Sequence, residues 1–180
     1  MAAARLPDII TVAPTWGSSS FIESDFGLDV MEAILALGIV TSLRLHPMTL
    51  RHHPTLLSTI EEHFCAATHL RFESDITGVD SLVSSAVLVT DWSGAATEYV
   101  LGTGRPAVLI DMPAKVNNPR YVELGCEPLE MRFRRELGLV IPPTDLGRIG
   151  GSLTEHFRLD TNRVRAFREN WVYNNGTTAQ

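Results

Sequence analysis

Apolar positions in this chain fall into short unbroken runs that alternate with stretches of helical period. Ile9-Ile10-Thr11-Val12-Ala13, ended by Pro14, is a β-branched run of strand length without polar alternation, the pattern of a strand buried on both faces. Val30, Ile34 and Leu37 then recur at helical spacing, with Gly38 as the stop. The pattern predicts a second strand over 39–45, ended by His46-Pro47, and a helix over 54–67 with Leu57, Ile60 and Phe64 on one face. It repeats as strand 69–72, helix 80–85, strand 86–89, a helix over 93–101 closed by Gly102 and Gly104, and strand 107–110. Such alternation predicts an α/β fold, a Rossmann-like parallel sheet of about five strands with helices on both faces and right-handed crossovers.

After Asp111 the pattern becomes irregular. Residues 112–128 hold three prolines and the adjacent Asn117 and Asn118, which predicts an ordered loop with one or two helical turns. Two terminal helices are expected over 144–157 and 161–173, and one domain is expected over the whole chain. In open parallel sheets ligands sit beyond the carboxyl ends of the strands. The chemically unusual residues do follow the strands: Thr15-Trp16-Gly17-Ser18, His46-Pro47, Thr90-Asp91-Trp92-Ser93-Gly94 and Asp111-Met112-Pro113. Four loops are expected on one rim.

The strongest local signal is Val89-Thr90-Asp91-Trp92-Ser93-Gly94, a strand running into a turn that opens a helix. Ser93 and Gly94 there would aim backbone N–H groups at a phosphate, with the helix dipole assisting; the plainer alternative is a helix cap. Glu98, one turn on, either approaches a ribose or is an exposed helix residue. His46 is placed to hydrogen-bond a phosphate oxygen or to act as acid or base. The hydroxyls and flexible backbone of Thr15, Gly17 and Ser18 suit phosphate equally well as solvent. Lys115 with Asn117 is a candidate grip on an anionic substrate.

Composition narrows the classes. Of 180 residues, 44% are hydrophobic and 20% charged, and the net charge of −6 argues against nucleic-acid binding through a basic face. Lys115 is the single lysine among the 15 basic residues. No apolar run is long enough to span a bilayer, and the first eight residues lack the core of a secretory signal. The two cysteines, Cys65 and Cys126, read as reduced thiols, so a cytoplasmic protein is expected. His46, His52 and His53 lack a nearby carboxylate or cysteine to complete a metal set, so no metal is expected, and no cofactor is implied. Gly102-Thr103-Gly104 follows a helix and precedes a strand, which is the wrong context for a dinucleotide turn, and neither a Walker loop nor a Gly-x-Ser-x-Gly elbow is present. The arginines of Arg132-Phe133-Arg134-Arg135 read as a solvated helix face.

Leu43-Arg44-Leu45-His46-Pro47-Met48, then Val89-Thr90-Asp91-Trp92-Ser93-Gly94 with Glu98-Tyr99, resemble the donor half of CDP-glycerol glycerophosphotransferases, the teichoic acid polymerase family. The loop from Ala13 to Ser19 and the stretch from Asp111 to Pro119 extend the likeness. The resemblance implies a GT-B transferase whose C-terminal Rossmann-like domain is this chain, the family's N-terminal acceptor domain lying outside it. It implies transfer of glycerol phosphate from CDP-glycerol to a hydroxyl of a growing wall or capsule polymer. Carried over, His46 would act on the donor phosphates or assist the departure of CMP. Asp91, Ser93 and Gly94 would line the pyrophosphate site, and Glu98 would approach the ribose. Expected partners are the nucleotide donor, the polymer acceptor and an acceptor domain or partner chain, at the inner face of the cell membrane in the full-length enzyme. Gly94 stands where the family often has a second serine, and Glu98 where it often has aspartate. Two other readings fit the same turns: a UDP-sugar transferase or UDP-N-acetylglucosamine 2-epimerase-like domain, and a non-catalytic scaffold.

Overall fold

The predicted apolar runs pair with one another, and the sheet they form gains one strand beyond them. The structure is a computed structural model that describes residues 8–73, 78–116, 118–154 and 159–172. Six strands, β1 (Ile9–Val12), β2 (Val40–Leu43), β3 (Leu70–Phe72), β4 (Val87–Thr90), β5 (Ala107–Ile110) and β6 (Leu139–Ile141), form a sheet in the order β3-β2-β1-β4-β5-β6. Every pairing is parallel, with Val12 opposite both Leu43 and Val89.

All residues of β4 and β5 are buried, as their lack of alternation requires. With period two, Ile10, Val12, Val87, Val89, Val108 and Ile110 face one core, while Leu88, Ala107 and Leu109 face the other. The first core is closed by Val30, Met31 and Ile34 of α1 (Gly27–Leu35), by Ile60 and by Ile149, with α2 (Pro47–His52) leading into α3 (Leu56–His63), which carries Ile60. The second is closed by Tyr99, Phe133, Val164 and Phe167. Tyr99 lies on α5 (Ala95–Thr103), Phe133 on α6 (Leu129–Glu136), and Val164 and Phe167 on α8 (Thr161–Trp171), with Leu82 of α4 (Asp80–Ser84) packed beside them; Ile149 of the first core lies on α7 (Leu146–Thr154), which packs on α1. The segment after β5 contains a 3-10 helix, Pro119–Leu124, where one or two helical turns were expected. Among the described residues no helix is long and apolar enough to cross a membrane.

Three expectations change. The helix predicted over 54–67 is α3, starting at Leu56, and a separate short helix α2 precedes it because His46 caps Pro47–His52. His52 is the last residue of α2. The sixth strand lies in a stretch with no expected element, after α6, of which the sequence suggests only an arginine-bearing helix face. Arg134, expected on a solvated helix face, is only 8% exposed, because Phe133 beside it is drawn into the second core and turns the helix onto the sheet.

The α6–β6 connection is close-packed at Gly138. A Cβ there would clash with Leu109 Cδ1 and lie 2.9 Å from the Arg134 carbonyl oxygen. Gly138→Ala is therefore expected to destabilise the fold by about 1–3 kcal/mol in chemical denaturation. An unchanged midpoint would show that α6 is not seated tightly on β5.

Candidate functional site

The crossover from β1 leads through α1 to β2 on one side, and the crossover from β4 leads through α5 to β5 on the other. Where the two directions part, the loops leave a crevice at the carboxyl edge of the sheet. A cleft of about 460 Å³ occupies it. Its walls are Thr15 and Trp16 after β1, His46 after β2, Trp92 to Gly94 after β4, Ala114 to Val116 with Asn118 and Tyr121 after β5, and the start of α6.

Two carboxylates hold the β1 loop. Asp91 is 2% exposed; its Oδ1 accepts the Thr15 N–H at 2.8 Å and its Oδ2 accepts the Phe21 N–H at 2.9 Å. Glu23 Oε2 accepts the Gly17 N–H at 3.0 Å, and its Oε1 accepts the Thr49 hydroxyl at 2.5 Å. His53 Nε2 lies 3.3 Å from Glu23 Oε2. Gly17 adopts a φ of 82°, a left-handed turn that glycine takes without strain and that presents its N–H to Glu23. Arg134 ties down the β4 turn. Its guanidinium donates to the Asp91 carbonyl at 2.9 Å and to Asp111 Oδ1 at 3.1 Å, and lies 4.1 Å from the Trp92 ring centre. Trp92 Nε1 in turn donates to the Met112 carbonyl at 2.6 Å, joining the loops after β4 and β5.

His46 is the N-cap of α2, and its Nδ1 accepts the Met48 N–H at 3.1 Å. That bond fixes the tautomer, so Nε2 carries the proton and is the donor left for a ligand. Burial, and then the charge of Lys115, push the His46 pKa below its usual 6.5, against the pull of Glu23. Lys115 Nζ donates to Thr15 Oγ1 at 2.9 Å and to the Trp16 carbonyl at 3.3 Å, and sits 4.4 Å from the centre of the Trp16 ring. Burial lowers its pKa while Asp91 and Glu23 raise it. Ser93 Oγ accepts the Ala95 N–H at 3.3 Å, and Gly94 caps α5 with nothing within 4 Å of the place a Cβ would take. A ligand oxygen can approach the positive end of the α5 dipole through that opening.

Of the residues singled out in the sequence, Thr15, His46, Ser93, Gly94 and Lys115 meet in this cleft. Asp91 lies behind its wall with both oxygens engaged. Gly17 and Ser18 do not line the cleft; the N–H of Gly17 is taken by Glu23, and Ser18 is exposed. Glu98 lies exposed on α5 outside the cleft lining. Asn117 is outside the described residues. Sequence reasoning missed Glu23, Trp92 and Arg134 as builders of the site. The available signal for Arg134 was the helical spacing of Leu129, Phe133 and Leu137; nothing in the pattern marked Glu23. Among the described residues no group of three or more histidines, cysteines and carboxylates is placed to hold a metal.

Neither a family model nor a curated protein matches the sequence. Solved structures do match. α,α-Trehalose 6-phosphate synthase from Burkholderia multivorans is 14% identical, with a TM-score of 0.57 over 90% of this chain and 38% of that one. The UDP-GlcNAc 2-epimerase of Methanocaldococcus jannaschii, in complex with UDP-GlcNAc and UDP, is 12% identical, with a TM-score of 0.55 over 92% of this chain and 45% of that one. The wall teichoic acid polymerase TagF is 17% identical over 90% of this chain and 38% of that one, with a TM-score of 0.46, too loose to weigh between families. The chain thus spans less than half the length of each of these proteins. The likeness is that of a GT-B-type Rossmann-like domain, and at these identities it shows the fold alone.

The His46 arrangement has a pH signature. Because folding lowers the pKa, the folded state binds fewer protons, and stability drawn from neutral His46 is lost as pH falls below 6.5. Proton NMR should show the His46 ring titrating below 6.5, with protonation breaking the Nδ1 bond to Met48. A midpoint above 6.5 would contradict the assigned tautomer and its surroundings.

Proposed function

We propose that this chain binds the nucleoside-diphosphate part of an activated donor and forms the donor side of a transferase. The observation that carries the reading is the meeting of His46 Nε2–H, the N-terminus of α5 at Ser93-Gly94, and Lys115 around one cleft at the point where strand order reverses. A diphosphate spans such a set of donors, and each acts on oxygen charge that grows as the bond to the leaving nucleotide lengthens. The GT-B-type fold supports the same reading.

Within this class the resemblance of the His46-Pro47 and Thr90–Gly94 segments to CDP-glycerol glycerophosphotransferases favours CDP-glycerol as donor. An acceptor hydroxyl attacks the glycerol-bearing phosphorus and gives up its proton to solvent, the bond from that phosphorus to the CMP oxygen breaks, and CMP departs with the electron pair. His46 donates a hydrogen bond to the phosphate oxygens, and catalysis consists of positioning and charge stabilisation. The acceptor contacts belong to a second domain or partner chain in this reading. A UDP-sugar donor is the second reading, supported by the fold shared with the UDP-GlcNAc-bound epimerase.

Calorimetric titration with CDP-glycerol, CDP and UDP tests both. Tighter binding of the cytidine ligands is expected, with His46→Ala weakening them by about tenfold or more, the scale of one hydrogen bond to a charged group. Preference for UDP would select the second reading. Full affinity in both His46→Ala and Ser93→Pro would move the ligand out of this cleft.

A further inference from the structure

Asp91 is a buried carboxylate that the proposed chemistry does not use. Both its oxygens face the backbone of the β1 loop, on the Thr15 and Phe21 N–H groups. Thr15 is itself a wall of the cleft and the seat of Lys115, through the Thr15 Oγ1 bond. Arg134 does not bond the carboxylate. It holds the Asp91 carbonyl, Asp111 and the Trp92 ring, and so fixes the main chain that leads directly into Ser93 and Gly94.

We propose that Asp91 and Arg134 are positioning residues of this cleft: Asp91 builds its β1 wall by accepting two backbone N–H groups, Arg134 fixes the turn beneath Ser93-Gly94, and a proton on Asp91 withdraws the wall from the ligand. The inference rests on the cleft being the donor site. A carboxylate only accepts, so it satisfies both N–H groups at once; the neutral acid carries an O–H that must displace one of them. Burial is the main force favouring that proton and pushes the Asp91 pKa up to about 6, against the N–H groups of Thr15, Phe21 and Trp92 and the charge of Arg134.

Besides Arg134, the ionisable groups on this rim come from the loops after β1, β2 and β5 and from α6, whose Glu130 lines the cleft. Lys115, after β5, couples favourably to ionised Asp91. Asp111, at the end of β5, is paired with Arg134. Glu23, before α1, is engaged by Gly17, Thr49 and His53. His46, at the start of α2, is held toward its neutral form.

The sign separates this device from acid unfolding. A carboxyl group whose pKa rises on folding binds its proton more tightly in the folded state. Asp91 therefore adds stability as pH falls through about 6 toward its ordinary 3.8, while the loop it holds loosens. In that window the wall is displaced in a folded protein, and the Thr15 and Phe21 amides separate this event from the titration of His46, which also falls below 6.5.

The test is NMR of the ligand-free chain from about pH 8 down to about pH 4.5, a range that brackets ordinary and raised carboxylate values. The readouts are the Asp91 carboxyl carbon and the Thr15 and Phe21 amides. All three should titrate with one midpoint well above the ordinary carboxylate range. Arg134→Met should raise that midpoint, and Arg134→Lys should restore it most of the way. The wild-type titration decides the matter alone if a variant fails to fold. CDP affinity, measured by calorimetry, should fall about tenfold per pH unit below the midpoint if only the ionised form binds. A carboxyl midpoint in the ordinary range, or amides that ignore it, overturns the positioning role. Amides that follow Asp91 while CDP affinity stays flat overturn the coupling to ligand. If CDP binds at no pH, the donor-site reading fails, and the amides still decide whether Asp91 holds the loop.

Discussion

Where β1 and β4 separate, the sheet no longer holds their loops together, and the carboxylate of Asp91 takes over. The ladder continues just past the strands: the Ala13 N–H donates to the Val89 carbonyl at 2.9 Å, and the Thr90 hydroxyl donates to the Ala13 carbonyl at 2.6 Å. One residue later the chains diverge toward opposite sides of the sheet. Asp91 spans the gap with a side chain, gathering Thr15 and Phe21 from the other loop. The cleft walls depend on it in sequence: Thr15 seats Lys115, Lys115 covers Trp16, and the Asp91 carbonyl receives Arg134.

Burying such a charge is costly unless its oxygens are paired, and pairing with backbone N–H groups makes the loop part of the compensation. Glu23 does the same for Gly17. Three N–H groups of the β1 loop are thus committed to carboxylates, which leaves this loop a poor cradle for an anion, whatever its wealth of small and hydroxyl residues. In the proposed reading the phosphates instead meet the opposite wall, where Gly94 keeps the start of α5 open, and Lys115 and His46. Thr15 reaches the cleft through its side chain, and Gly17 and Ser18 shape the turn behind it.

The strands were legible in the sequence because a strand buried on both faces leaves a near-continuous apolar run, as in β5 and, but for one threonine each, in β1 and β4, while β2 carries Thr41 and Ser42 between Val40 and Leu43. β6 did not show because its three residues follow directly on an arginine-rich helix. The charge of Arg132-Phe133-Arg134-Arg135 hid the one apolar side chain that decides its orientation, Phe133. The rim was legible too, since loops after parallel strands converge by topology. Which side of a loop faces the cleft was not: Asp91 and Ser93 stand two residues apart, and only the three-dimensional demand of Thr15 and Phe21 turns the first inward. Glu23 carries no pattern at all. Its role exists only because Thr49 and His53 arrive from α2 and its C-cap.

This division of labour sets what the cleft can recognise. Among the described residues lining it, Lys115 is the one cation and Glu130 the one carboxylate, and His46 is held toward neutrality. Net attraction for an anion is therefore small, unlike that of a pocket crowded with arginines. Under the proposed donor reading, binding comes from donors of fixed direction: the Nε2–H of His46, the helix terminus at Gly94 and an ammonium pinned by Thr15. Directional hydrogen bonds weaken steeply when geometry drifts, whereas a diffuse positive field tolerates it. A site of this kind needs rigid walls more than it needs charge. Asp91, through the Thr15 and Phe21 N–H groups, and Arg134, through the Asp91 carbonyl and the half-exposed Asp111, supply them, which is why these side chains lie behind the cleft and mostly neutral ones line it.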